Sequence, residues 1–94
     1  MKLPVHIRRN ADVDNELVNV SKSDGDELVW YSTGDEFTIE FPITPFNDYR
    51  FVIPAGGSKG SGPVRTDAPE TKYFYNVTNT ALAMSADPGV DIKH

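Results

Sequence analysis

Side chains able to do chemistry are few in this sequence and far apart. His6 and His94 are the only imidazoles, and none of the 94 residues is a cysteine. Disulfides, thiolate metal sites and Cys nucleophiles are therefore excluded. A metal centre would need Asp87 or Asp91 to converge with imidazoles from opposite ends of the chain. His94, the last residue, is expected to fray, and His6 to be solvated. Glu36 and Glu40 share one strand face but lie about 13 Å apart. Carboxylates that work as a pair on one bond are separated by at most about 9.5 Å. No nucleophile elbow or other triad-like motif occurs. These residues predict a protein that is not an enzyme and holds no cofactor.

The glycine-rich stretch GGSKGSG (56–62) contains the ingredients of an anion nest, with Lys59 as its charge. It lacks the Walker order, in which Lys follows the last Gly, so a surface loop is the simpler expectation. Asn19-Val20-Ser21 and Asn76-Val77-Thr78 match the glycosylation sequon but fall in predicted strands, as chance matches would.

Charge narrows the partners. A net charge of −5 repels phosphate backbones and anionic membrane surfaces, so neither nucleic acid nor membrane is an expected partner. No run approaches the roughly 20 apolar residues of a membrane span. The lack of cysteine fits a reducing compartment, so a cytoplasmic location is expected, or an exported one had a leader been removed.

These few groups must be carried by strands, because the periodicity is two almost everywhere outside the proline- and glycine-broken 42–71 stretch. Leu3, Val5 and Ile7 alternate with Lys2, Pro4, His6 and Arg8. Leu28 and Trp30 alternate with Val29 and Tyr31, and Phe37, Ile39 and Phe41 with Glu36, Thr38 and Glu40. Asp24-Gly25, Thr33-Gly34-Asp35 and Asp87-Pro88-Gly89 are turn signals. RFVIP (50–54) and GPVRT (62–66) are predicted as short strands, KYFYNVT (72–78) and GVDIK (89–93) as further ones. About seven strands in a single 1–94 domain predict an all-β sandwich.

Three segments sharpen this reading. SDGDELVWYS (23–32) resembles the x-x-G-D-x-V-x-W strand of cupredoxins, the blue-copper family of plastocyanin. EFTIEF (36–41) resembles the family's P-H-x-V-x-F strand. APETKYFYNV (68–77) followed by DPGVDI (87–92) resembles its closing segments. The resemblance covers roughly residues 15 to 92 and implies a cupredoxin-like Greek-key sandwich, with an immunoglobulin-like sandwich as the alternative. It would put the copper ligands at Phe37, Val77 and Thr80, where no imidazole or thiolate stands. Met84 lies near the axial position, but out of step. Copper needs soft sulfur and nitrogen donors, so the resemblance implies a copper-free member.

What remains is recognition. FPITPFNDYRFVIP (41–54) sets Phe46, Tyr49 and Phe51 among prolines, either as an exposed aromatic patch or as a lid folded onto the core. With Lys59 nearby, these four residues are the expected contacts for a protein partner. Copper-free relatives tend to be recognition domains, so the expectation is a non-catalytic, monomeric interaction module. The alternative is a small-molecule or metal-binding protein using the vacated pocket.

Overall fold

Period-two alternation becomes ten strands and no helix across residues 1–79, 81 and 84–94, which a computed structural model describes. In chain order these are β1 Lys2–Ile7, β2 Leu17–Ser21, β3 Glu27–Ser32, β4 Phe37–Glu40 and β5 Arg50–Ile53. Then follow β6 Ser58–Gly60, β7 Lys72–Phe74, β8 Asn76–Asn79, β9 Met84–Ala86 and β10 Gly89–Lys93. They form three sheets, ordered β1-β3-β6, β2-β10-β7 and β5-β4-β8-β9.

The second and third sheets run into each other. Tyr73 pairs with Val90, and Val77 pairs with Ala86 in the same unslipped register, so β7 continues as β8 and β9 as β10. The two parallel pairs, β1 with β3 and β2 with β10, require connections that cross between layers rather than hairpins. β2 supplies the first such crossing, leaving β1's sheet and returning as β3. The layers share one core, in which Val5, Leu28 and Trp30 of one side are buried with Ile39, Val77 and Ile92 of the other. This arrangement is consistent with a β-sandwich. The radius of gyration, 12.3 Å, is about that of a compact chain of this length.

Ten strands replace the expected seven for identifiable reasons. The predicted strand at 72–78 is counted as two because pairing is interrupted at Tyr75. The closing segment gains β9, which lacks the apolar alternation that would announce it. The glycine-rich 56–62 stretch was expected to be loop, yet it supplies β6, because the free edge of β3 takes Ser58–Gly60 as an antiparallel partner. Just beyond, the Ser61 Oγ accepts the Leu28 N–H at 2.9 Å, and the Ser61 N–H donates to the Leu28 carbonyl at 2.8 Å. GPVRT, expected as a strand, yields only an isolated bridge between Val64 and Phe46. His94 does not simply fray, since its carbonyl accepts hydrogen bonds from Ser21 and Ser23 Oγ.

Five aromatic rings, Trp30, Phe41, Phe46, Phe51 and Tyr75, close one end of the core. Trp30 lies 5.1 Å from Phe51 and 5.7 Å from Tyr75. Its indole N–H donates to the Tyr75 hydroxyl at 3.3 Å. Burial pushes the Tyr75 phenol up to about 12; the Trp30 bond opposes this and the charge of Asp14 adds to it. The unfolded phenol ionises near 10, so the folded state keeps a proton that the unfolded state loses. Stability is therefore expected to fall by as much as about 3 kcal/mol as pH rises from 10 towards 12. Urea unfolding across that window checks this, and Tyr75→Phe should flatten the alkaline limb.

Candidate functional site

The positions that the resemblance equates with copper ligands come first. Phe37 and Val77 lie on the adjacent antiparallel strands β4 and β8, where Thr38 pairs with Thr78 and Ile39 with Val77. They are thus diagonal neighbours on one sheet face, and both are buried in the core. Thr80 lies outside the described residues. Hydrocarbon side chains have no lone pairs to offer, so Phe37 and Val77 do not fit copper. Among the described residues no three His, Asp or Glu side chains gather as a metal site would need.

Beside Phe37 the end of the sandwich is closed by polar contacts. The buried Asn79 amide donates to the Arg9 carbonyl at 2.9 Å and to Asp35 Oδ2 at 2.8 Å. Ser32 Oγ donates to the Asp35 carbonyl. The cavity left there, lined by Arg9, Ser32, Asp35 and Phe37 among others, is about 120 Å³. That is room for about four waters.

A histidine–carboxylate pair lies elsewhere. His6 on β1 stacks on Tyr31 of β3 at 5.2 Å, and its Nδ1 lies 3.0 Å from Asp14 Oδ2. Burial alone would raise the Asp14 pKa, but hydrogen bonds from the His6 backbone N–H and ring hold it below the usual carboxylate value. His6 is therefore anchored by Asp14 and remains solvated, with its side chain 55% exposed. Among the described residues no hydroxyl hydrogen-bonds its second ring nitrogen.

The four predicted contact residues divide. Phe46 and Phe51 are buried, with Phe46 packed edge-on against Phe41 at 5.6 Å. This corrects the expectation that they meet a partner: a chain this short needs its large rings inside, and the 41–54 segment folds over as a lid. Tyr49, 61% exposed, and Lys59 on β6 stay on the surface. Neither lines the cleft described next.

The hollow lies where the sheet opens. β4 is bonded to β8 as far as Glu40 and Asn76, and continuing that register would set Pro42 opposite Phe74. Proline has no N–H to give, so the ladder stops and the chain at Pro42 turns away from β7. On its other side β7 bonds β10 through its odd residues, as the Tyr75 N–H to Pro88 carbonyl (2.9 Å) and Ile92 N–H to Thr71 carbonyl (3.0 Å) bonds show. The backbone groups of Lys72 and Phe74 therefore point into the opening, where no backbone partner meets them among the described residues.

The resulting cleft has a volume of about 430 Å³. Pro42 and Ile43 form one bank and Lys72, Tyr73 and Phe74 the other, with Arg65, Pro69 and Thr71 between. Its walls are held in place. Arg65 Nη2 donates to the Thr44 carbonyl, the Arg65 N–H to the Pro45 carbonyl, and the Tyr73 hydroxyl to the Pro69 carbonyl, each at 2.8 Å. Lys22 Nζ ties down the carbonyls of Thr66 and Ala68.

Ile43 is 74% exposed and Phe74 58%, so two large apolar side chains of one cleft stand in water. Phe74 is aimed by its cross-strand partner: its ring lies so close over Gly89 that a Cβ there would meet Cδ1 at 2.9 Å. Beyond Phe74 a second hollow of about 340 Å³ carries Asp12, Glu16 and Asp87.

Ile43 and Phe74 were not among the predicted contacts. The signal was nonetheless present: Tyr73 and Tyr75 face inward, so alternation turns Phe74 outward as an aromatic on a polar face. No family model matches the sequence, and no curated protein matches it significantly.

Proposed function

We propose that this chain is a non-catalytic, copper-free, cupredoxin-like domain that serves as a protein-recognition module through the cleft between Pro42-Ile43 and β7. The observation that carries the reading is the exposure of Ile43 and Phe74 on the banks of a braced cleft that includes unpaired backbone. Large apolar side chains held in water beside a preformed hollow are what a partner can bury. The cupredoxin-like assignment is supported by Phe37 and Val77, which are neighbours on adjoining strands as the ligand positions of that family must be. The cleft volume also lies within the usual range for small-molecule ligands, which the same experiment separates.

A photo-crosslinker placed at Ile43, used in native lysate, tests the reading. Defined protein adducts are expected, and Phe74→Ser should abolish them while leaving stability within about 0.5 kcal/mol. Unfolding by Phe74→Ser, or adducts indifferent to it, would contradict recognition at this face. Adducts restricted to small molecules would favour the ligand reading.

A further inference from the structure

We infer that the cleft takes an extended peptide, added as a strand along the open edge of β7, and that it favours peptides with an acidic side chain next to an apolar one. The inference rests on the recognition reading and names its partner. Strand addition needs an edge with free donors and acceptors, and pockets for alternate side chains. Lys72 and Phe74 supply the backbone groups, since their N–H and C=O face away from β10. Pro42 leaves that edge unoccupied, because it cannot complete the β4 ladder. Ile43, Pro69 and Phe74 line the space that an apolar side chain of the visitor would fill.

Charge selects the visitor's flanks. The cleft holds two cations, Arg65 and Lys72, and no carboxylate lines it. Arg65 is partly engaged by Asp67 at 3.5 Å, whereas Lys72 has no ion-pair partner within 4.0 Å among the described residues. The chain's net charge of −5 opposes an acidic visitor at long range, so the preference must arise at contact with these two groups.

Fluorescence polarisation with two labelled, capped peptides tests this: Glu-Val-Ile-Val-Glu and its counterpart Lys-Val-Ile-Val-Lys. The acidic peptide is expected to bind about tenfold more tightly or better at low salt. Lys72→Glu should abolish or reverse that preference, while Lys2→Glu, the same charge change outside the cleft, should not. A version of the acidic peptide N-methylated on alternate amides, in either register, should bind in one register only, because only one set of amides faces β7. Equal binding of the acidic and basic peptides, or equal binding of both methylated forms, overturns the inference. If neither peptide binds while Phe74→Ser still removes the Ile43 crosslink, strand addition fails and recognition stands. If that crosslink also survives Phe74→Ser, both fail.

Discussion

Phe46→Ala is expected to destabilise the protein by about 3–5 kcal/mol, while Tyr49→Ala, three residues away, changes stability by no more than about 0.5 kcal/mol. Phe46 has no exposed surface and packs against Phe41 and Phe51, whose rings meet Trp30 in turn. Truncation removes the ring's transfer energy and leaves a cavity among partners that cannot all move in. The 41–54 segment is also held through Phe46, by its bridge to Val64 and its N–H bond to Thr44 Oγ1 at 3.1 Å, so the lid cannot easily collapse into the gap. For a chain of this length the loss corresponds to roughly 15–30 °C in Tm. Urea midpoints at unchanged slope measure both variants. A Phe46→Ala protein as stable as the parent would mean that the lid is not core.

Phe37→His is expected to cost a similar amount, about 3–5 kcal/mol, even though it introduces the residue that the resemblance to cupredoxins would put there. Phe37 is buried beside Val77, and an imidazole in its place loses packing and brings two ring nitrogens that need hydrogen bonds. Asn79, which continuing the β4–β8 register sets opposite Phe37, already spends its amide on Arg9 and Asp35. Copper should not rescue the variant, because one imidazole beside a valine is not a copper site. Thermal midpoints with and without stoichiometric Cu²⁺ check this. A metal that binds only the folded state must raise the midpoint, so a rise on adding copper to Phe37→His, or to the unaltered protein, would count against a copper-free site.

The strands of the core were legible in the sequence because alternation is a strong signal where one face is buried. Leu28 and Trp30, Phe37 and Ile39, and Tyr73 and Val77 all face inward as their spacing requires. Short strands without apolar residues were not legible. Ser58–Gly60 is a strand only because β3 offers an edge, which is a tertiary cause. The candidate site was half visible. Prolines and aromatics marked the 41–54 segment, but composition cannot tell a lid from a patch, and the structure puts Phe46 and Phe51 in the lid. The cleft depends on Pro42 falling opposite Phe74, a matter of register between segments more than 30 residues apart that no local pattern reveals.

Amide hydrogen exchange of the free protein at β7 tests the open edge most directly. Backbone N–H groups bonded across a ladder exchange slowly, and those facing an unfilled cleft exchange fast. If Pro42 leaves the edge of β7 unpaired, the amides of Tyr73 and Tyr75 will be strongly protected and those of Lys72 and Phe74 will not. Equal, strong protection of all four would mean that the edge is already filled by the chain itself, and there would be no cleft for a partner to enter.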